Sequence, residues 1–196
     1  MKVLGLTGGI ASGKSTVAAL LAAKGAPIFD ADAESRTALL VGTTCYEQVL
    51  ATLGSSFVAT NGEINRPALA ELVFHNPGAL QKLENIIHSY VWQQASTFVT
   101  VQKEQQTPIA VLDVPLLIEC GWHQKVDEVW LVAVTEEEQV RRAMLRSNMT
   151  RAEVCARIAQ QMTLTDKKKY ATVIIDNSGT LEATKQQVNL AWKQLL

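Results

Sequence analysis

The chain has 196 residues, and 47% of them are hydrophobic, which is enough for one main domain with a buried core. Its 18 basic and 19 acidic side chains give a formal net charge of −1, which argues against a broad surface for DNA or RNA. No apolar run reaches the roughly 18 residues of a membrane span, and no secretory leader pattern is present. We therefore expect a cytoplasmic, monomeric protein with reduced cysteines and no nucleic-acid or membrane partner.

The first pattern along the chain is an apolar strand, a glycine-rich loop and a helix. The loop Gly8-Gly9-Ile10-Ala11-Ser12-Gly13-Lys14-Ser15 is a complete match to G-x-x-x-x-G-K-[S/T]. Consecutive N–H groups of such a loop, together with the positive end of the helix dipole, bind phosphate. Lys14 is expected to reach the β- and γ-phosphates of a nucleoside triphosphate, and the Ser15 hydroxyl is expected to bind Mg²⁺. The alternative is a glycine-rich turn that matches the pattern by chance.

A second strand, residues 26–29, precedes Asp30 and Asp32. The two carboxylates would share one side of an extended chain, because side chains alternate along a strand. The segment corresponds to the second loop at the carboxyl edge of a parallel sheet, where ligands bind in open α/β folds. In a phosphoryl-transfer enzyme Asp32 would accept or orient the proton of the attacking hydroxyl. The alternative is that Asp32 caps the helix that follows.

Residues 43–106 are predicted to be almost wholly helical, which is too long for a simple crossover between parallel strands. We interpret them as an inserted helical region that binds the substrate. Thr44, with a glutamate three residues later, has the pattern of a capping box. Asn65 and Asn76 each stand just before a proline in the first turn of a predicted helix.

Two polar residues of this insertion need a separate interpretation. Arg66 begins a helix, where the dipole disfavours a cation unless the cation meets an anion, so it is either a ligand contact or a solvated side chain. His88 lies within the helical region, and on the residues alone it is a hydrogen-bonded packing residue.

A third strand, residues 109–112, ends in Asp113. An apolar strand followed by aspartate is typical of the acidic group that helps to hold Mg²⁺ in P-loop enzymes. A fourth strand, residues 129–134, leads into a helix on which Arg142 and Arg146 lie on one face.

Residues 142–170 are interpreted as a short helical lid whose arginines close over a triphosphate. A capping box at Thr150 begins a helix that is predicted to carry Arg157 and Gln161. The run Lys167-Lys168-Lys169 is interpreted as solvated.

The fifth strand, residues 173–175, leads to Asn177 at the carboxyl edge of the sheet. From that position the side-chain amide could read an adenine edge. The alternative is a turn formed by Asn-Ser-Gly, which needs no ligand. The whole pattern predicts an α/β fold of the P-loop type, with a parallel sheet flanked by helices.

The sequence resembles the dephospho-CoA kinase family along essentially its whole length. The resemblance is carried by segments that run from the P-loop to the end of the last strand: Leu6 to Ser15, Asp30-Ala31-Asp32, Gly62-x-Ile64-x-Arg66 with Val73-Phe74, Asp113 to Leu117 with Glu119, and Ile175 to Gly179. It implies transfer of the ATP γ-phosphate to the ribose 3′-hydroxyl of dephospho-CoA, with Mg²⁺ as cofactor. Members of the family usually have glycine where Ala11 stands, usually a proline where Ser89 stands, and commonly an aspartate where Thr172 stands.

With that resemblance, the residues divide into a core (1–36, 107–141 and 171–196), a CoA-binding insertion (37–106) and a lid (142–170). The expected site residues fall into four groups. The catalytic group is Asp32, Lys14, Arg142 and Arg146. The ATP-binding group is Gly9, Ala11, Ser12, Gly13, Lys14, Ser15, Thr16, Arg142 and Asn177. The acceptor-binding group is Asp32, Arg66 and His88, and the metal group is Ser15 and Asp113.

Two other functions remain compatible with the P-loop. One is a kinase for a different metabolite, such as a nucleoside monophosphate or a small sugar acid. The other is a GTP-dependent switch, although the chain has no Asn-Lys-x-Asp guanine reader.

Overall fold

The computed structural model describes residues 1–147 and 149–195. The chain divides into two compact units, one formed by residues 1–30 and 99–196 and the other by residues 31–98. We call them the sheet unit and the helical unit.

The sheet unit contains a five-stranded parallel sheet with the strand order β2-β3-β1-β4-β5. The strands are β1 (Lys2–Gly8), β2 (Ile28–Asp30), β3 (Ile109–Asp113), β4 (Glu128–Ala133) and β5 (Val173–Asp176). Each of the five predicted strands is confirmed, with ends that differ by one or two residues. β1, β3 and β4 are almost continuously apolar and buried, as expected for strands that are covered on both faces.

The helices of the described residues are numbered in chain order, and α2 to α5 lie between β2 and β3. They are α1 (Lys14–Ala22), α2 (Ala31–Thr37), α3 (Thr44–Leu53), α4 (Arg66–Phe74), α5 (Pro77–Glu104), α6 (Glu136–Ser147), α7 (Arg151–Ala159), α8 (Leu164–Lys168) and α9 (Leu181–Leu195), with a short 3₁₀ helix at Trp122–Lys125. The predicted α/β class, with a parallel sheet flanked by helices, is confirmed.

The core of the sheet unit joins β1 to helices α1 and α9. Leu6 of β1, Val17 of α1 and Val188 of α9 are completely buried in one cluster with Trp130 of β4. The parallel register pairs Leu6 with Asp113 of β3, so the loop after β1 and the end of β3 lie at the same edge of the sheet. This core therefore fixes the base of the P-loop.

The helical unit has its own buried cluster, which includes Val49, Phe57, Leu69 and Leu83. The side chains of Asn65 and Asn76 cap α4 and α5 by accepting hydrogen bonds from Ala68 N (3.2 Å) and Ala79 N (3.0 Å), as predicted. The predicted cap of α3 is wrong by one residue. Thr43 caps that helix, because its side chain accepts the hydrogen bond from Tyr46 N at 3.0 Å.

The expectation for Asp30 and Asp32 is also wrong in its geometry. β2 ends at Asp30 and α2 begins at Ala31, so the two carboxylates do not alternate along an extended chain. Asp32 is an exposed residue in the first turn of α2 rather than its cap.

Within the two described ranges, no helix combines the length and the apolar character that are needed to cross a bilayer.

Candidate active site

The P-loop connects β1 to α1 at the carboxyl edge of the sheet. Two of its residues adopt left-handed backbone angles, Ala11 with φ of 54° and Gly13 with φ of 87°. The loop closes on itself through a hydrogen bond from Ser12 N to the carbonyl of Gly9 at 3.1 Å. The N–H of Thr16 in the first turn of α1 donates to the carbonyl of Gly13 at 2.9 Å. The loop therefore has the tight turn that a phosphate-binding cradle requires.

Gly13 allows another part of the chain to approach the loop closely. A Cβ atom at this position would lie 2.0 Å from Nδ2 of Asn177, which no side chain tolerates. The second glycine of the motif is thus required both by its backbone angle and by a neighbour that follows β5.

Lys14 is paired with Asp113. Its Nζ donates a hydrogen bond to Oδ1 of Asp113, and both side chains are largely buried. The predicted phosphate-binding cation and the predicted metal-binding carboxylate therefore meet at the junction of the P-loop and the end of β3.

The oxygen donors near this pair suit Mg²⁺. Ser15 is exposed in the first turn of α1, and Asp113 supplies a carboxylate. Residues 1–147 and 149–195 contain no group of three or more His, Cys, Asp or Glu side chains that could hold a metal ion. A hydroxyl and one carboxylate fit Mg²⁺ nevertheless, because this ion usually binds one or two protein groups together with substrate phosphates.

Asn177 binds the P-loop through its side chain. Its Nδ2 donates to the carbonyl of Ser12 at 2.8 Å, and its Oδ1 accepts from the hydroxyl of Thr184 at 2.8 Å. The residue is only 8% exposed. The recognition of an adenine edge by Asn177 stays a prediction. The two hydrogen bonds of its side chain show that Asn177 also stabilises the loop.

Arg142 is oriented towards this part of the site by two acceptors. Its Nε donates to Oε1 of Glu138 at 2.6 Å, and its Nη2 donates to the backbone carbonyl of Asn177 at 2.8 Å. The hydrogen bonds from Arg141 and then Arg142 lower the pKa of Glu138 to about 2. Arg146 lies on the same helix, as the sequence predicted, and its side chain is exposed.

Two glutamines lie against the start of the loop, and the sequence analysis gave neither of them a role in the site. Oε1 of Gln161 accepts a hydrogen bond from Ile10 N at 3.1 Å. Nε2 of Gln139 lies so close to Gly9 that a Cβ atom added to this glycine would be only 2.2 Å from it. Gln161 follows the end of α7 at Ala159, so its predicted place on that helix is wrong. Only the folded chain brings these amides to the loop, and no local sequence signal indicates it.

The two glutamines also line a cavity of about 280 Å³ between the P-loop and the helices α7 and α8. Its wall includes Val134, Cys155 and Lys167. The side chain of Lys167 is only 2% exposed and forms an ion pair with Oε1 of Glu119 at 3.0 Å. The interpretation of the lysine run as solvated is therefore wrong at this position, because the carboxylate of Glu119 compensates the charge of the buried lysine.

The three predicted acceptor-binding residues lie in the helical unit. Asp32 and His88 are exposed on α2 and α5, so the expectation from the residues alone that His88 packs within the helical region is wrong. Arg66 donates from Nη2 to the backbone carbonyl of Arg36 at 2.6 Å, near the end of α2, where a cation is favoured by the helix dipole. This contact explains how an arginine is accommodated in the first turn of α4.

Comparison with known proteins identifies the family of the chain. Residues 2–183 match the family described as dephospho-CoA kinase. A dephospho-CoA kinase of Symbiobacterium thermophilum is 43% identical over 197 residues, covering 98% of this chain and 81% of the relative. The crystal structure of TT1252 from Thermus thermophilus has a TM-score of 0.83 at 37% identity and covers 100% of this chain and 98% of that one.

A more distant structure shows the same fold. The dephospho-CoA kinase from Campylobacter jejuni superimposes with a TM-score of 0.73 at 23% identity, over 98% of this chain and 96% of that one. From its P-loop, its sheet order and these matches, the chain belongs to the dephospho-CoA kinase family and is a kinase of the P-loop type.

Proposed function

We propose that this protein transfers the γ-phosphoryl group of ATP to the ribose 3′-hydroxyl of dephospho-CoA, giving coenzyme A and ADP. The observation that carries the proposal is the convergence of the P-loop, Lys14 and Asp113 at one edge of the sheet, in a chain of this family.

The phosphate-binding part of the mechanism rests on groups held in place before ATP arrives. Backbone N–H groups of the loop and of the first turn of α1 would bind the phosphates, and Lys14 adds a cation beside the β- and γ-phosphates. Arg142, held by Glu138 and the carbonyl of Asn177, supports the same site with a second cation. Arg146 would join them when the lid, residues 142–170, closes over the nucleotide.

Ser15 and Asp113 are the residues that would hold Mg²⁺ together with the triphosphate. When bound, the ion neutralises charge on the phosphate oxygens.

The acceptor half of the mechanism rests on residues 37–106 together with Asp32. Asp32 orients the 3′-hydroxyl and takes its proton as the oxygen attacks the γ-phosphorus. Arg66 and His88 bind other parts of dephospho-CoA. Phosphoryl transfer needs little covalent chemistry from the protein, so the rate would come mainly from positioning and electrostatic stabilisation.

The test is a mass-spectrometric assay of the purified protein with ATP, Mg²⁺ and one acceptor at a time. The acceptors are dephospho-CoA, adenosine monophosphate and shikimate, and the signal is the added mass of one phosphate. We expect phosphate on dephospho-CoA and not on the other two.

Two results would contradict the proposal in different ways. Phosphorylation of another acceptor in place of dephospho-CoA would keep the ATP site and reject the substrate. Nucleotide binding with no phosphorylated product, and with GTP preferred to ATP, would reject the kinase and favour a nucleotide-dependent switch.

A further inference from the structure

The P-loop holds one residue in a conformation that its side chain disfavours. Ala11 has a left-handed φ of 54°, which only glycine adopts without penalty. Strained backbone of this kind persists where the surrounding structure over-determines it. Such a constraint can come from groups that fix the residues on either side of Ala11.

Each neighbour of Ala11 is bound by an amide side chain from a distant part of the sheet unit. Ile10 N, on one side, donates to Oε1 of Gln161 at 3.1 Å. The carbonyl of Ser12, on the other side, accepts from Nδ2 of Asn177 at 2.8 Å. The two side chains thus hold the 9–10 and 12–13 peptide groups, which lie one residue away from the strained Ala11 on each side.

The chain segment that carries Gln161 is itself anchored. The next residue, Met162, donates from its backbone N to Oε1 of Glu119 at 3.1 Å. The same oxygen pairs with the buried Lys167, whose Nζ also donates to the carbonyl of Pro115 at 3.4 Å. Separating this pair would leave the charge of the buried Lys167 uncompensated. Gln161, although it lies within the proposed lid, is therefore anchored in this structure through its neighbour Met162 to Glu119.

Asn177 is fixed to a similar degree. Its Oδ1 accepts from the hydroxyl of Thr184, which is completely buried in α9. Its backbone N donates to the carbonyl of Ala133 at 2.9 Å, at the end of β4. Asn177 and the segment of Gln161 are therefore both anchored to other parts of the sheet unit.

We propose that Gln161 is a positioning residue for ATP binding, which acts with Asn177 to hold the strained turn at Ala11 in its phosphate-binding shape. The inference deepens the proposed function and rests on it. Its physical basis is preorganisation, since loop amides that already point inward do not have to be ordered when the phosphates bind.

The test compares Gln161→Ala with Gln160→Ala. Gln160 is an exposed residue of the same type one position earlier, at the end of α7. ATP affinity is measured by calorimetry without an acceptor, and exchange of the Ile10 amide is followed by NMR. We expect Gln161→Ala to bind ATP about two- to tenfold more weakly, the effect of one lost hydrogen bond, and to exchange the Ile10 amide faster. Gln160→Ala should change neither quantity.

A second pair of variants tests whether Gln161 acts through the strained residue. Glycine occupies the left-handed region readily, so an Ala11→Gly loop depends less on external support. The loss of ATP affinity on Gln161→Ala should therefore be smaller in an Ala11→Gly background. An equal loss in both backgrounds would place the effect of Gln161 elsewhere and overturn the inference.

These measurements separate the inference from the proposed function. If wild-type protein binds ATP but does not phosphorylate dephospho-CoA, the substrate proposal fails, and the ATP affinities of the variants still decide the role of Gln161. If Gln161→Ala binds ATP as tightly as Gln160→Ala, with an unchanged Ile10 amide and an unchanged melting temperature, Gln161 is not a positioning residue.

Discussion

Nζ of Lys14 donates a hydrogen bond to Oδ1 of Asp113, which joins the first turn of α1 to the end of β3. The two residues are 99 positions apart, and they meet because β1 and β3 are parallel neighbours whose register pairs Leu6 with Asp113. The contact places a cation and a carboxylate side by side in the part of the fold where phosphoryl-transfer enzymes bind the triphosphate and its metal.

Lys14→Ala should weaken ATP binding and turnover together. A charge-assisted hydrogen bond to phosphate contributes about 1.5–3 kcal/mol, so we expect a loss of about ten- to a hundredfold in ATP affinity. Calorimetry with ATP measures it, and Lys168→Ala, which removes an exposed lysine, is the control. Wild-type affinity and rate in Lys14→Ala would refute the phosphate-cradle interpretation.

Asp32→Asn should keep ATP affinity and lose most of the turnover. The substitution conserves size and removes the carboxylate that we propose as the proton acceptor. Steady-state kinetics give the turnover number, and Glu84→Gln, at an exposed position of the helical unit, controls for the loss of one negative charge. Unchanged turnover in Asp32→Asn would remove this residue from the catalytic role.

Gly13→Ala should abolish ATP binding and destabilise the protein more than Gly25→Ala does. Both glycines have a φ of 87°, so both substitutions carry the left-handed penalty of about 1–2 kcal/mol. A Cβ at Gly25 meets nothing within 4 Å, whereas one at Gly13 would meet Asn177 at 2.0 Å. Chemical denaturation of the two variants isolates the clash. Equal losses of stability in the two variants would show that the Asn177 side chain moves away from the new Cβ with no cost in the free energy of unfolding.

Ala11→Gly should stabilise the fold by about 0.5–1 kcal/mol. Relief of the left-handed strain outweighs the extra freedom that glycine gives to the unfolded chain. Ala19→Gly, at an exposed position inside α1, makes the same chemical change in ordinary helical backbone and should cost about 1 kcal/mol. Urea denaturation of both variants distinguishes the two effects by their opposite signs, and a destabilised Ala11→Gly would contradict the strain argument.

The carboxyl of Glu138 should titrate far below its ordinary range. Hydrogen bonds from Arg141 and then Arg142 lower its pKa to about 2. A lowered pKa means that this contribution to stability is complete above the ordinary glutamate pKa and is lost as the pH falls through about 2. An NMR titration of the Glu138 carboxyl carbon gives its pKa, and Arg141→Ala should raise that value. A midpoint near the ordinary value in the wild-type protein would show that the arginines do not hold this carboxylate in solution.

Much of the fold follows from local sequence. The apolar runs of β1, β3 and β4 predict these strands because strands covered on both faces need continuous apolar side chains, and shorter apolar runs predict β2 and β5. The start of α4 is predicted by Asn65, because its side chain satisfies an N–H group in the first turn and needs no distant partner. The P-loop is recognisable for the same reason, since the pattern from Gly8 to Ser15 contains both its turn and its charge.

The supports of the site depend on contacts between segments that are far apart in the chain. Lys167 stands in a run of three lysines and carries no local sign of burial, yet Glu119, 48 positions earlier in sequence, pairs with it in the folded chain. Gln161 and Asn177 reach Ile10 and Ser12 across more than 150 residues. The sequence by itself determined the phosphate-binding loop and the positions of the strands along the chain, because hydrogen bonding and burial in them have local periodicity. Only the tertiary structure decided which side chains hold that loop in shape, because such contacts depend on how the strands are ordered in the sheet.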